Sequence, residues 1–209
     1  SRELNLAKEL AESCDYPHYA LGRNVTLRKG WYGNATLSRF PILRERNIDL
    51  TVGIRKRRGC QHTTLQLHDD QQQEFHLDAF NLHLGLSARE RQKQAGILAR
   101  SEELNMLSED SSCLVAGDFN DWRSLLRAYY VEGLDFTCAT DKEAPSGAIR
   151  AIKTFPSFAP TGGLDRLYYR GGMRLLGVKT CSHKFSKVAS DHLAVIADFE
   201  LTQPVDASK

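Results

Sequence analysis

Short segments with strand signals follow one another along this chain, and a single long helical pattern interrupts them. The strand-like segments before it are "HYALGRNV", "YGNATLSRF", "NIDLTVGI", "CQHTTLQLH" and "FHLDAFNLHLG"; those after it are "SSCLVAGDFN", "LDRLYYRGG" and "SDHLAVIADFEL". Each is short, partly β-branched or aromatic, and bounded by Gly, Pro or charged residues. Because these strands rarely alternate with helices, the pattern predicts an α+β fold with helices packed outside antiparallel-rich sheets.

The helical pattern covers residues 87–108, where Ser87 and Glu90 have the spacing of a capping box. A second amphipathic helix is predicted over residues 2–13, and a short one over 122–130 with Asp121 as its N-cap. Residues 138–163, rich in Pro, Gly and Ser, are predicted to form a long irregular loop, and 202–209 a flexible tail. We expect residues 1–209 to form a single domain, since no linker divides them.

The composition is that of an ordinary globular protein, with 209 residues, a formal net charge of +2 and 26% charged residues. No apolar run approaches the roughly 18 residues that a membrane span needs. The five cysteines are scattered, which argues against a disulfide framework and predicts a reducing, cytoplasmic location. The dense basic run "RKRRG" (55–59) is either a solvated turn or a phosphate-binding patch.

The segment "CLVAGDFNDW" (113–122) reads as a buried strand that ends in two acids and an amide. Side chains at positions i and i+2 of a strand point to one face, so Asp118 and Asn120 are predicted to project together from its carboxyl end. A carboxylate there can bind a hard cation or take a proton from water, and an amide can hold a phosphoryl oxygen. A capping turn before the next helix is the structural alternative.

Three further groups of polar residues stand at predicted strand ends. "SDH" (190–192) precedes the last strand, Asp165 opens a strand after a Gly-Gly turn, and His83 ends the strand "FNLH". A carboxylate can hold an imidazole in one tautomer and raise its basicity, which makes Asp165 and His192 a candidate dyad. Taken singly, each residue is also compatible with an ordinary polar strand end.

In this order, "NLHLG", "GDFND", "LDRLYY" and "SDHLAV" resemble the motifs of the endonuclease/exonuclease/phosphatase family of metal-dependent phosphoesterases. "YGNATLSRFPI" and "HLGLSARERQKQ" are also similar to segments of its bacterial members, and the resemblance extends from about Ser1 to Leu201. It implies a four-layer α/β sandwich, in which two mixed β-sheets are flanked by helices. It also implies hydrolysis of a phosphodiester or phosphomonoester by in-line attack of water.

The resemblance implies a role for each matching residue. His83 would contact the scissile phosphate, Asp118 would activate or orient water, and Asn120 would hold the phosphate. Asp165 would pair with His192, which would stabilise the phosphorane-like transition state. Asp191 and Asp118 would bind Mg²⁺ or Mn²⁺. Among the basic residues, Arg57 and Arg58 are candidates for substrate binding, together with His83 and Asn120.

Relative to the family pattern, the chain is expected to be truncated at its N-terminus. It lacks the strand-helix-strand unit whose Gln-Glu pair supplies the principal metal-binding glutamate. Three explanations stay open: the sequence is a fragment of a longer protein, a second chain or a swapped copy supplies the unit, or the chain is a degenerate member that binds phosphate without cutting. Loss of that glutamate would weaken metal binding steeply.

Two function classes therefore compete, a metal-dependent phosphoesterase and a non-catalytic phosphate-binding or interaction module. A Ser-His-Asp hydrolase is a weaker alternative because the chain has no G-x-S-x-G motif. The substrate is open among nucleic acid, a phospholipid head group and a small phosphoester. For nucleic acid, Trp31 and Trp122 are available for stacking on bases.

Overall fold

The computed structural model describes residues 5–28, 30–202 and 204–205. Within them the helices are α1 (Leu6–Ser13), α2 (Ala88–Ala99), α3 (Glu102–Asn105), α4 (Arg127–Val131) and α5 (Ser186–Ala189). The strands are β1 (His18–Leu27), β2 (Gly30–Ser38), β3 (Ile42–Asp49), β4 (Gly59–His68), β5 (Glu74–His83), β6 (Cys113–Asp118), β7 (Thr137–Cys138), β8 (Asp141–Glu143), β9 (Ile149–Ala151), β10 (Asp165–Arg170), β11 (Met173–Thr180) and β12 (Val195–Leu201).

Six strands form one mixed sheet in the order β3-β4-β5-β6-β10-β7. Neighbouring strands are antiparallel except β5 and β6, which run parallel. A parallel pair needs a connection that returns the chain to the end where it started, and the segment containing α2 and α3 makes that connection. The carboxyl ends of β5 and β6 therefore lie side by side at one edge of the sheet.

Three antiparallel pairs, β1–β2, β8–β9 and β11–β12, accompany the large sheet. The β1–β2 hairpin lies against one face of β4 and β5, where Asn34 donates hydrogen bonds to the carbonyls of Gly59 (3.1 Å) and Asn81 (2.8 Å). Asn81 donates in return to the carbonyl of Ala35 at 2.9 Å. These amide contacts fix the hairpin in one position over the sheet.

The core is built from the inward side chains of the large sheet and from the apolar face of α2. Alternate residues of β5 are buried, so that Phe80 and Leu82 face inward beside Val115 of β6. Ala95 and Leu98 of α2 cover this surface, as the helical spacing predicts. Burial of each large apolar side chain contributes roughly 1.5–3 kcal/mol to folding.

The helical prediction over residues 87–108 is only partly right, because the structure divides it into α2 and α3. Ser87 does cap α2, with its hydroxyl accepting the N–H of Glu90 at 3.3 Å. Ser101 then caps α3 by accepting the N–H of Leu104 at 3.3 Å. A serine that satisfies backbone donors in this way begins a new helix instead of continuing the old one.

Two other predictions about local structure are wrong. The short helix begins at Arg127 and not at Trp122, and Asp121 is not its N-cap; Asp121 Oδ2 accepts the N–H of Leu126 at 2.7 Å. The region 138–163 is not wholly irregular, since it contains the β8–β9 hairpin and a bridge between Phe155 and Gly162.

The strand predicted over 47–54 lies at 42–49, and β11 was not predicted at all. The predicted tail lies mostly outside the described residues, although the N–H of Val205 donates to the carbonyl of Glu74 at 2.7 Å. No helix in the described part of the chain combines the length and apolar character needed to cross a membrane.

Candidate active site

Three strand ends bring His83, Asp118 and Asp165 side by side. In the parallel β5–β6 pair His83 is the partner of Asp118, and in the antiparallel β6–β10 pair Asp118 is the partner of Asp165. β5 and β6 end at this edge of the sheet, and β10 begins there. Three neighbouring strands of the sheet therefore each present an ionisable side chain at the same edge. Residues far apart in sequence are thus held at the spacing of neighbouring strands, about 5 Å.

Asp118 is reached through Gly117, which has a φ of +139°. A side chain at Gly117 would collide with the carbonyl oxygen of Leu82 on β5. Only glycine combines this backbone conformation with such close approach of two strands. Gly117 therefore allows β6 to reach the edge of the sheet with Asp118 in register with His83.

Asn120 turns back toward the sheet because its backbone is left-handed, with a φ of 50°. Asparagine tolerates this conformation better than most residues do. Its N–H donates to Asp118 Oδ1 at 2.8 Å, and its Nδ2 donates to the carbonyl of Leu84 at 2.9 Å. Between the two polar residues, the fully buried Phe119 packs edge-on against Tyr168 with ring centroids 5.2 Å apart, which anchors the segment.

Asp165 and His192 form the dyad that the sequence predicts. His192 Nδ1 lies 2.8 Å from Asp165 Oδ2, and Phe155 packs against the imidazole with centroids 4.9 Å apart. Partial burial alone would lower the pKa of His192, but the hydrogen bond and charge of Asp165, with Asp118 and Asp191 nearby, outweigh it and raise that pKa. With Nδ1 engaged by the carboxylate, Nε2 is the nitrogen left for a substrate.

A single buried residue, Thr154, holds both members of this dyad. Its hydroxyl accepts the N–H groups of Leu164 (3.3 Å) and Asp165 (3.4 Å), and its carbonyl accepts the N–H of Leu193 at 2.8 Å. Thr154 thereby ties the start of β10 to the residue after His192. It was not predicted, because nothing in an irregular stretch rich in Pro and Gly distinguishes one threonine from another.

His83 is in a different electrostatic environment. Its Nε2 lies 3.4 Å from Asp118 Oδ2, and its Nδ1 lies 2.9 Å from the hydroxyl of Tyr32 on β2. Burial, with the positive charges of Arg58, Lys56 and His192, lowers the pKa of His83 to about 4. His83 is therefore a neutral imidazole at physiological pH.

The surroundings of Asp118 act on its pKa in opposite directions. Burial raises its pKa, the N–H of Asn120 works in the opposite direction, and the negative charge of Asp165 adds to the increase. A carboxylate with a raised pKa is a better proton acceptor than one at its ordinary value.

One open cleft of about 590 Å³ collects six of the predicted residues: His83, Asp118, Asn120, Asp165, Asp191 and His192. Tyr32, Leu86, Trp122, Phe155 and Leu164 line the rest of it. Arg57 and Arg58 do not line the cleft; Arg57 is exposed, whereas Arg58 is buried and affects the site through its charge. A larger cavity of about 770 Å³, between the β8–β9 hairpin and β11, contains none of the predicted catalytic or metal-binding residues.

A buried polar face of α2 supports the loop after His83. Gln94 Oε1 accepts the N–H of Gly85 at 2.8 Å, and Arg91 Nη1 donates to the carbonyl of Leu86 at 2.7 Å. Arg91 Nη2 also lies 3.5 Å from Asp121 Oδ1, directly after Asn120. These residues were not predicted as part of the site, although three polar residues on the inward face of one helix (Glu90, Arg91 and Gln94) were a signal for it.

The cleft does not by itself contain a complete metal site. Across residues 5–28, 30–202 and 204–205 no group of three or more His, Cys, Asp or Glu side chains is arranged to hold a metal ion. Asp118 and Asp191 both line the cleft, but they are too few to complete the oxygen shell that Mg²⁺ or Mn²⁺ requires without further ligands.

The fold and the cleft together define a class of α+β protein that presents histidines and carboxylates at one edge of a mixed sheet. Residues 2–192 match the model of the endonuclease/exonuclease/phosphatase family, and the chain belongs to that family. Both the predicted family and the α+β fold class are thereby confirmed. Enzymes of the family are generally dependent on a divalent metal.

Known relatives agree with this assignment. The chain is 32% identical over 187 residues to the uncharacterized protein YbhP of Escherichia coli strain K12, covering 88% of this chain and 68% of YbhP. Two solved structures with similar folds are the human Nocturnin catalytic domain (TM-score 0.71, 18% identity, 95% of this chain and 77% of that one) and the mannosyl-6-phosphatase of Bacteroides thetaiotaomicron (TM-score 0.70, 16% identity, 93% and 81%).

A third similar structure is the endonuclease/exonuclease/phosphatase of Beutenbergia cavernae, with a TM-score of 0.66 and 14% identity over 92% of this chain. The chain spans only 56% of the length of that protein. At these identities the solved structures establish the shared fold and nothing further.

Proposed function

We propose that this chain hydrolyses a phosphoester by in-line attack of water on phosphorus, and that the residues of the cleft are its catalytic groups. Membership of the family supports a phosphoesterase-type function. The observation that carries the proposal is the register that aligns His83, Asp118 and Asp165 on adjacent strands, with His192 hydrogen-bonded to Asp165.

In the proposed reaction, Asp118 accepts a proton from the attacking water. The water oxygen forms a bond to phosphorus while the bond from phosphorus to the leaving oxygen breaks. The leaving oxygen departs on the opposite side and takes a proton from solvent water in the open cleft. The raised pKa of Asp118 suits it to this role as general base.

The two histidines would perform different tasks. His192, whose pKa is raised by Asp165, would donate from Nε2 to the phosphoryl oxygens as their negative charge grows. Neutral His83 and the amide of Asn120 would orient the same oxygens without adding charge. Because positioned donors act most strongly where charge develops, His192 is the residue whose loss should reduce the rate most.

Arg57 and Arg58 would contribute to substrate binding in different ways. Arg58 is only 7% exposed, and its Nε and Nη1 have no hydrogen-bond partner among the described residues. Its charge already lowers the pKa of both His83 and Asp118, so it would also attract a phosphate to the cleft. Exposed Arg57 would act only as a distant cation, screened by salt.

Binding of Mg²⁺ or Mn²⁺ is a separate part of the proposal, with Asp118 and Asp191 as the ligands that this chain supplies. Carboxylate oxygens suit either ion, and the bound ion would offset negative charge on the phosphate. Since the described residues do not complete such a site, the roles given above to the side chains do not depend on it.

The substrate class is proposed only as a phosphoester: a nucleic acid, a phospholipid head group or a small molecule. On β1 and β2 the guanidinium of Arg23 lies 3.5 Å from the ring centroid of Trp31, and Trp122 lines the cleft. Exposed aromatic rings beside cations suit stacking of nucleobases. Comparing single-stranded oligonucleotides with sugar phosphates as competitors would separate these classes.

Hydrolysis of bis(p-nitrophenyl) phosphate and of p-nitrophenyl phosphate tests the proposed activity. We expect His192→Ala to lower the rate by roughly 100-fold or more, because it removes the charged donor to the transition state. His68→Ala is the matched control, since His68 lies at the far end of β4 and should leave the rate unchanged. Equal rates in the wild-type protein and His192→Ala would refute the catalytic assignment.

A phosphate-binding module without catalysis is the second candidate, and the incomplete metal site favours it. In that case inorganic phosphate would shift the NMR resonances of His83 and His192, while no nitrophenolate would be released from either substrate. Phosphate binding together with turnover would exclude this candidate.

A further inference from the structure

Three polar side chains of β2 make hydrogen bonds to the large sheet, and the last of them reaches the candidate active site. Thr36 donates to Gln61 Oε1 at 2.9 Å, and Asn34 donates to the carbonyls of Asn81 and Gly59. The third contact joins the hydroxyl of Tyr32 to His83 Nδ1 at 2.9 Å. Thr36, Asn34 and Tyr32 alternate along β2, so they project from the same face of the strand.

The same alternation applies on β5. Asn81, whose side chain donates to the carbonyl of Ala35, is two residues before His83 and points to the same side of the sheet. The paired amides of Asn34 and Asn81 therefore fix the separation of β2 and β5 immediately beside Tyr32 and His83. The contact between these rings follows from the register of two anchored strands.

The hydrogen-bond partners of His83 indicate which of its two ring nitrogens carries the proton. A neutral imidazole has one N–H donor and one acceptor nitrogen. Nε2 faces Asp118 Oδ2 at 3.4 Å, and a carboxylate offers only acceptors. The position of that acceptor favours a proton on Nε2, which leaves Nδ1 to accept the hydrogen bond that the Tyr32 hydroxyl donates.

Lys56 strengthens this arrangement. Its ammonium lies 4.9 Å from the centroid of the Tyr32 ring, close enough for a cation–π interaction. A positive charge over the ring makes the phenol a better hydrogen-bond donor. This favours a tyrosine O–H that donates to Nδ1 of His83.

We propose that Tyr32 is a positioning residue, which holds His83 in the Nε2–H tautomer with that N–H directed into the cleft. The consequence for catalysis rests on the proposed function: a correctly held Nε2–H would donate to a phosphoryl oxygen. The hydrogen bond itself does not depend on any activity, so the tautomer of His83 can be measured separately from turnover.

Tyr32→Phe tests the inference, because it removes only the hydroxyl and keeps the ring. Tyr19→Phe is the matched control, since Tyr19 lies on the other strand of the same hairpin and is 38% exposed against 39% for Tyr32. The readout is long-range ¹⁵N–¹H NMR of the ring nitrogens at neutral pH without substrate, with His83 assigned by its loss in His83→Gln.

In the wild-type protein and in Tyr19→Phe we expect one His83 tautomer, with Nε2 protonated and Nδ1 shifted as a hydrogen-bond acceptor. In Tyr32→Phe we expect Nδ1 to move toward the position of an unbonded imidazole nitrogen and the Nδ1–H tautomer to gain population. A proton on Nδ1 in the wild-type protein, or unchanged His83 resonances in Tyr32→Phe, would overturn the inference.

If the chain also hydrolyses phosphoesters, Tyr32→Phe should lower kcat several-fold with little change in KM. A change in the His83 resonances without any turnover in the wild-type protein would uphold the role of Tyr32 and refute the proposed function. If turnover depends on His192 but the His83 resonances are unchanged in Tyr32→Phe, the proposed function is upheld and the role of Tyr32 is refuted.

Discussion

His83 and His192 line one cleft, yet their surroundings move their pKa values in opposite directions. Burial and nearby cations lower the pKa of His83 to about 4, whereas the dyad with Asp165 raises that of His192. These opposite shifts favour the neutral form of His83 and the charged form of His192. Groups whose pKa values are separated in this way can take different acid-base roles at one pH.

The lowered pKa of His83 predicts a loss of stability in acid. The unfolded chain binds a proton at its ordinary pKa of about 6.5, whereas the folded protein does so only near 4. The unfolded state therefore binds more protons between these values, and the free energy of unfolding falls as the pH falls through that range. In His83→Gln this contribution is absent.

We expect the wild-type protein to lose roughly 1–2 kcal/mol more than His83→Gln between pH 7 and pH 5, measured by urea unfolding. Parallel losses in the wild-type protein and His83→Gln would show that His83 does not resist protonation in the fold.

Sequence patterns predict some residues of the candidate site and miss others. His83, Asp118, Asn120, Asp165 and His192 could be predicted because each stands next to an apolar strand segment within a short motif. Tyr32 and Thr154 could not, since their contacts depend on how a hairpin and a loop pack against distant strands. Local patterns identify residues at strand ends, but tertiary packing decides which side chains meet them.

At the scale of elements, α2 has a structural role beyond covering the core. Its inward face carries Glu90, Arg91 and Gln94, and of these Arg91 and Gln94 satisfy backbone groups of the loop after β5. A buried guanidinium is tolerated there because carbonyl oxygens and Asp121 surround it. The helix thus holds the loop after His83 and the segment after Asn120 in one arrangement.

Arg91→Ala should destabilise the protein by about 3 kcal/mol, because it leaves buried Asp121 without its neighbouring cation and two loop carbonyls without their donor. Arg89→Ala, on the exposed face of the same helix, should change the free energy of unfolding by less than about 0.5 kcal/mol. Urea denaturation of both variants measures the difference. Similar losses in the two would mean that the buried contacts of Arg91 contribute nothing net.

Most strands were predictable because alternating or continuous apolar residues mark them, as in β5 and β6. β11 was missed because a register shift between Leu175 and Gly177 interrupts its alternation. The β8–β9 hairpin was missed because its short strands are largely polar and exposed. Such strands form because they pair with other segments of the chain, and a short stretch of sequence carries no signal of that pairing.

At the scale of the whole molecule, the cleft gathers residues from segments spread between Tyr32 and His192. The described residues nevertheless supply too few ligands for a complete metal site. The sequence motifs therefore predicted the position of the cleft but not its full set of ligands. Whether a divalent ion binds depends on groups beyond Asp118 and Asp191.

We expect phosphoester hydrolysis to rise and saturate with added Mg²⁺ or Mn²⁺ and to fall in EDTA. Asp191→Asn should raise the half-saturating concentration by about tenfold, because it removes a charged oxygen ligand. Asp198→Asn, an exposed carboxylate on β12, is the control and should leave that concentration unchanged. Turnover that persists unaltered in EDTA would rule out dependence on a divalent ion.

Because β5 and β6 pair in parallel, the distance from His83 to Asp118 across the cleft does not depend on the number of residues between them in the chain. The hydrogen bonds of that pair keep His83 beside Asp118, although the chain between them runs through α2 and α3. The exposed parts of that connection outside α2 are consequently free to lengthen, shorten or acquire new surface features. The fold can thus diversify its exterior during evolution while the spacing of its reactive groups stays constant.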